Sequence, residues 1–157
     1  MSTLYATFLV AGHCLAVDVL EVQEVLSEQR LTSVPLTPEV VEGLINLRGQ
    51  IVPALDLRRV LKLAPSNTGQ QRFSVVARSP HGLVSLQVDE IGDVMDLDVS
   101  GFEPPPDNLD PAIRSLLRGV YKLKARLLLV LDTTRATEIV PAANVAAKRS
   151  HDDAKTE

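Results

Sequence analysis

Short runs of alternating apolar and polar residues, each ended by glycine, proline or a polar turn, limit what this chain can fold into. Leu4 to Val10 alternates, breaks at Ala11-Gly12-His13 and resumes from Cys14 to Asp18. Gly12 suits a left-handed turn position, so the two runs predict a hairpin. Phe73 to Arg78 and Leu83 to Val88 flank Ser79-Pro80-His81-Gly82 and predict another, as do Gly119 to Lys124 and Arg126 to Asp132. Many short strands at close spacing favour small barrels, and long helical patterns are too few for repeated βαβ units.

The remaining segments fit between these hairpins. Leu20 to Leu26 is Val-rich and fits either a helical turn or a strand. Thr32-Ser33-Val34-Pro35 is expected to be extended, because the residue before proline is pushed out of the α region. Pro38 can open a short helix through Val41, with Thr37 as its N-cap and Gly43 as its stop. Leu44 to Arg48, Gly49, and Gln50 to Leu57 predict strand, turn and strand, with a helical turn over Leu57 to Leu63. Pro65 to Gln70 is a loop, and Glu90 to Val99 alternates as an exposed strand would. Pro104-Pro105-Pro106 marks a stiff crossing, Pro111 to Leu117 a short helix, and Thr133 the start of another. From Pro141 onward an Ala/Lys/Asp-rich stretch predicts a disordered tail over 141–157.

Hydrophobic residues make up 45% of the 157, enough for a core, but aromatics are only 3%. Leu, Val and Ile must therefore fill the interior. The net charge of -4, with no Lys/Arg-rich block, repels phosphate backbones. One cysteine, Cys14, makes neither an internal disulfide nor a thiolate metal cluster. Met1 leads straight into a strand pattern, with no basic segment followed by an apolar one. The longest aliphatic run, Leu127 to Leu131, is far shorter than the roughly 20 residues that span a bilayer. A soluble, cytoplasmic protein is expected.

Catalysis needs convergent groups. His13 and His81 fall in predicted turns and His151 in the tail, none with an orienting carboxylate. The chain has no G-x-S-x-G elbow and no phosphate-cradling glycine loop. Cys14, on an alternating strand, is expected to be a buried, inert thiol. Asp89, Glu90, Asp93, Asp96 and Asp98 lack the order of a calcium loop and predict the solvated face of a strand. No catalytic residue, metal or cofactor is expected, and the chain is expected not to be an enzyme.

What remains is a surface for partners. Asn46-Leu47-Arg48-Gly49 sets an amide, an arginine and a glycine at one corner between two apolar strands. Gly49 permits positive φ, Asn46 can satisfy nearby backbone groups, and Arg48 projects a planar fork suited to a carboxylate. The segment Val40-Val41-Glu42-Gly43-Leu44-Ile45-Asn46-Leu47-Arg48-Gly49-Gln50-Ile51-Val52-Pro53-Ala54-Leu55-Asp56-Leu57-Arg58 resembles the signature of the CheW family of chemotaxis adaptors. Val17 to Val25, Leu83 to Val94, and Gly119 to Leu123 with Arg126 to Asp132 are similar to three further landmarks of that family, in the same order. The likeness runs from about Leu4 to about Glu138. Two departures stand in the last landmark: Lys124-Ala125-Arg126 replaces a glycine or acidic turn, and Tyr121 a smaller residue.

The resemblance implies an all-β fold of two five-stranded SH3-like barrels packed together with short helices. It implies one domain over 1–140 of two intertwined barrels, the second mainly from about 70 to 125. It implies a non-catalytic scaffold that binds a chemoreceptor's cytoplasmic tip and the regulatory domain of a CheA-like histidine kinase, with self-association in arrays. Carried over by position, Val22, Glu24 and Arg48 would form the receptor-binding region, and Val19 and Gly43 the kinase-facing end. Arg48 would pair with Glu24 at the groove between the barrels. The competing reading is a small-barrel module for nucleic acid or a small ligand, which predicts a basic, aromatic-bearing face.

Overall fold

A computed structural model describes residues 1–27, 31–33, 39–65 and 72–138. In chain order the strands are β1 (Ser2–Val10), β2 (His13–Asp18), β3 (Val22–Leu26), β4 (Val41–Leu47), β5 (Gln50–Asp56), β6 (Phe73–Ser79), β7 (Gly82–Val88), β8 (Glu90–Asp98), β9 (Phe102–Glu103), β10 (Leu117–Lys122) and β11 (Leu127–Leu131). Three short helices interrupt them: α1 (Leu57–Val60), α2 (Pro111–Arg114) and α3 (Thr133–Glu138). Single 3-10 turns at Val19–Glu21 and Val99–Gly101 complete the described elements.

Two sheets result. One has six strands in the order β8-β1-β2-β11-β10-β9, the other five in the order β3-β6-β7-β5-β4. The all-β expectation holds, with one refinement: the first sheet gains the two-residue β9. Hydrogen bonding leaves both sheets open between their outermost strands. An assignment of one barrel to about 70–125 does not follow the sheets, because β6 and β7 pair with β3 and β5. The chain instead crosses twice between sheets, from β2 to β3 through Val19–Glu21 and from β7 to β8 through Asp89.

Local chemistry explains the strand boundaries. The β1–β2 turn holds Ala11 and Gly12 at φ 49° and 82°, and the β4–β5 turn holds Arg48 and Gly49 at 52° and 87°. Two consecutive positive φ values match the twist of a two-residue hairpin. Pro53 is tolerated in β5 because its partner there is Leu44 of β4, while the β7 ladder begins only at Ala54. Asp56 accepts from the Arg58 N–H at 3.0 Å and so caps α1, which the helical-turn expectation located correctly. The Val-rich run after Leu20 is both things it resembled, a 3-10 turn and then β3.

Other expectations need correction. Val41 and Gly43 belong to β4, not to a helix and its stop, because β5 pairs with them on one side. Thr32 bonds to Leu44 on the other side, through its N–H at 2.9 Å and its carbonyl at 2.8 Å. Thr37 and Pro38, Val34-Pro35, most of the Pro65 to Gln70 loop and the tail at 141–157 lie outside the described residues. Cys14 is only half-buried, packing beside Tyr5 and Tyr121. Asp89 is buried rather than solvated, while Glu90, Asp93, Asp96 and Asp98 are exposed.

The main core spans both sheets: Phe8, Leu15 and Val17 of the six-stranded sheet meet Leu55, Val75 and Leu86 of the other. A second core fills the six-stranded sheet. There Tyr121 stacks edge-to-face on Tyr5 and on Phe102, each at 5.5 Å between ring centres. Tyr121 thus replaces a smaller residue by filling an aromatic pocket. Burial, above all, raises the pKa of its hydroxyl well above the usual phenol range.

The sheets are also built alike. β4–β5–α1 and β10–β11–α3 are the same unit. Each first strand bulges around a glycine, Gly43 or Gly119. Each second strand leads into an aspartate, Asp56 as its last residue and Asp132 just past it, whose N–H donates to a carbonyl just before the unit's first strand, Asp56 to Val40 and Asp132 to Leu116, both at 2.9 Å. That aspartate pairs with the arginine three residues on, Arg59 or Arg135. Carried by the same shift, Arg48 falls on Lys124.

Candidate docking surface

Glu24 lies on β3, an outer strand of the five-stranded sheet, just past a bulge in its register with β6. Arg48 sits at the tip of the β4–β5 hairpin, and β4 is the opposite outer strand. Asn46 stiffens this turn by accepting from the Gly49 N–H at 2.9 Å. The guanidinium donates to both carboxylate oxygens of Glu24, Nη1 to Oε1 at 2.5 Å and Nη2 to Oε2 at 3.0 Å. Hydrogen bonding to Glu24, then its charge, raises the Arg48 pKa further above its usual range.

The pair therefore spans the open seam of one sheet, Glu24 standing on one of its outer strands and Arg48 on the turn that ends the other. It stays wet on one side: the Arg48 side chain is 73% exposed and that of Glu24 20%. Such a pair contributes little to stability. At the corresponding seam of the six-stranded sheet, Lys124 occupies the hairpin tip and Asp93 lies on outer strand β8, with no ion pair between them. A cleft of about 250 Å³, lined by residues including Met95, Leu123 and Arg126, opens there instead. Closing a seam with charge is thus not a requirement of the fold.

The other expected site residues fall in different settings. Val22 is half-buried against the main core, two residues from Glu24. Val19 is half-buried in the 3-10 turn and lines a shallow cleft with Leu4 and Leu20. Gly43 is buried beneath the Leu31-Thr32 strap; a Cβ there would lie 2.8 Å from the Thr32 carbonyl oxygen. It presents no side chain and can influence a partner only through that strap. Leu20, 82% exposed, escaped the sequence reading because its run fitted two structures equally well.

A second charged group was also missed. Arg58, the last residue of the central segment, donates to Asp89 through Nε at 3.1 Å and Nη2 at 2.5 Å. Asp89 also accepts from the Ala11 N–H at 2.7 Å. Burial alone would raise the Asp89 pKa; these hydrogen bonds outweigh it and hold the carboxyl below its usual range. The signal lay in two segments already singled out, but nothing in either one named the other as its partner.

Comparison with known proteins agrees with this architecture. Residues 4–139 match the family model described as a CheW-like domain. The chain is similar to the chemotaxis protein CheW of Klebsiella aerogenes, 31% identical over 140 residues covering 86% of this chain and 82% of that protein. It is 31% identical to the chemotaxis protein CheW of Bacillus subtilis over 126 residues, 80% of each chain. Among solved structures, the scaffolding protein TtCheW of Thermoanaerobacter tengcongensis superposes with a TM-score of 0.77 at 26% identity, over 85% of this chain and 91% of that one.

Proposed function

The chain belongs to the CheW-like family and is a chemotaxis coupling scaffold; from that premise we propose that it joins a chemoreceptor's cytoplasmic tip to the regulatory domain of a CheA-like histidine kinase in the cytoplasm. Glu24 and Arg48, with Val22 beside them, take the receptor. Val19 takes the kinase, and Gly43 shapes the neighbouring strap. The scaffold transfers no phosphoryl group itself. It passes on a receptor state by binding one arrangement of the kinase better than the other, which is all a population shift requires.

The observation that carries this reading is the Glu24–Arg48 pair. An arginine is held at positive φ, fixed by both its nitrogens, and left largely exposed. Such an arrangement contributes little to folding but fixes the shape and charge of a surface, which is where interfaces gain selectivity. Exposed apolar groups, Val25 next to Glu24 in β3 and Leu20 next to Val19, supply area for affinity. The nucleic-acid alternative needs exposed aromatic platforms, whereas Tyr5, Phe8 and Tyr121 are buried and Phe73 and Phe102 pack against the cores. No helix among the described residues is long and apolar enough to cross a membrane.

The test is co-purification from the native cell with the tagged full-length chain. A CheA-like kinase and a chemoreceptor should both be retained, and the Arg48→Glu variant should lose the receptor while keeping the kinase. Retention of neither by the parent chain defeats the proposal.

A further inference from the structure

Deepening the coupling reading, we infer that the Arg58–Asp89 pair is a positioning clamp, which fixes the angle between the two sheets and hence between the two partners. Each covalent crossing between the sheets is gripped from both sides by hydrogen bonds. At the β7-to-β8 crossing, Asp89 is held by Arg58, which follows β5 of the five-stranded sheet. It is also held by the Ala11 N–H in the β1–β2 turn of the six-stranded sheet. The Asp89 N–H donates in turn to Leu9 of β1 at 2.9 Å. Arg58 is itself steadied by donating to the Ala64 carbonyl at 2.8 Å.

The β2-to-β3 crossing repeats the device in weaker form. Glu21 accepts from Arg118 at 3.0 Å and from the Thr133 hydroxyl at 2.9 Å, both on the six-stranded side. From the five-stranded side, Arg78 donates to the Leu20 carbonyl and to Gln23, each at 2.8 Å. The first clamp is the drier: the Arg58 and Asp89 side chains are 12% and 8% exposed, against 39% and 25% for Arg118 and Glu21.

The shared apolar core does not make these clamps redundant. Apolar burial is non-directional, so a Leu/Val/Ile interface holds two sheets together without choosing one rotation sharply. A bidentate guanidinium–carboxylate contact is directional and does choose. The Glu24–Arg48 group stands on the five-stranded sheet, whereas the cleft beside Val19 is walled by Ser2, Thr3 and Leu4 of the six-stranded one, so the angle between the sheets sets how these two surfaces face each other. Arg58 and Asp89 touch neither proposed docking surface, so they act through geometry alone.

The inference rests on the coupling reading for its consequence but not for its first measurement. Spin labels at Pro80 and Ala125, exposed turn residues on the two sheets, report the inter-sheet distance in a Cys14→Ala background of the full-length chain. Asp89→Asn should broaden that distance distribution while the chain stays folded and melts cooperatively. With partners present, each binary affinity should stay within about twofold of the parent and ternary assembly should fall about tenfold, an ordinary size for inter-site coupling. If Asp89→Asn fails to fold, Arg58→Lys, which keeps the charge but not the two-pronged geometry, carries the same test. An unchanged distance distribution in a folded variant overturns the clamp. A broadened distribution in a chain whose parent binds no kinase leaves the clamp standing and overturns the coupling reading.

Discussion

Arg48 and Glu24, 24 positions apart, meet through two parallel hydrogen bonds across the seam between the outer strands of one sheet. The arginine reaches that position from a backbone conformation that suits glycine or asparagine better than itself. Local turn preference and the long-range contact therefore pull in different directions at residue 48. Conflicts of this kind gather at functional sites.

A charge exchange separates the geometry of this pair from the charge of either member. Arg48→Glu and Glu24→Arg alone should each reduce receptor-fragment binding about tenfold or more, as for a fixed charge at an interface centre. The double exchange should recover much of the loss, measured by titration calorimetry at constant ionic strength. If the double variant binds no better than either single one, the partner reads the sign of Arg48 itself and not the pair.

Arg48→Asn tests the conflict directly. Asparagine accepts the left-handed conformation more readily, and the pair it removes is exposed. Its melting temperature should equal or exceed that of the parent, while receptor binding falls as in the charge-reversal variants. A clear drop in melting temperature would instead make the pair a structural closure of the seam.

The strands and turns were legible because they depend on residues close in sequence. Alternation located β1, β2, β6 and β7, and Gly49 and Asn46 marked the tight corner. Asp89 was misjudged for the same reason: it stands beside four exposed carboxylates, and only a contact from Arg58 distinguishes it. The crossing of the chain between sheets was equally hidden, since β2 ends and β3 begins with no signal that the sheet changes. The internal repeat was visible in principle, as Gly43, Leu47, Leu55, Asp56 and Arg59 recur at Gly119, Leu123, Leu131, Asp132 and Arg135. Hydrophobic interchange at most positions between them diluted it.

The two bulge glycines should respond differently to a methyl group. At Gly119 an added Cβ collides with the Phe102 ring and lies 2.7 Å from the Glu103 carbonyl oxygen, both part of the β9 edge. Gly119→Ala should destabilise by about 1–3 kcal/mol, the usual cost of overpacking, read by urea denaturation. At Gly43 the obstruction is the Thr32 carbonyl, held by the two-bond bridge to Leu44. Gly43→Ala should therefore unseat the strap first, seen as faster hydrogen exchange at the Thr32 and Leu44 amides. Kinase affinity should fall with it if that strap shapes the docking end. Protected Thr32 and Leu44 amides in the variant would show that the strand, not the strap, gives way.

Acid should act on the buried clamp in a way that one substitution isolates. The Asp89 carboxyl has a folded-state pKa below that of the unfolded chain, about 3.9. Its stabilising contribution is therefore complete above that pH and is lost as pH falls through the folded-state value. Asp89→Asn removes this proton-linked contribution and leaves Arg58 without its charged partner. At neutral pH the variant should be less stable by about 3 kcal/mol, the scale for removing one member of a buried pair. As the pH is lowered below about 4, the parent should lose stability faster than the variant, by at most about 1.4 kcal/mol per pH unit for one proton. Urea unfolding at stepped pH gives both slopes. The carboxylates common to the two chains cancel in the difference, so parallel curves would mean that ionisation of Asp89 is not linked to folding.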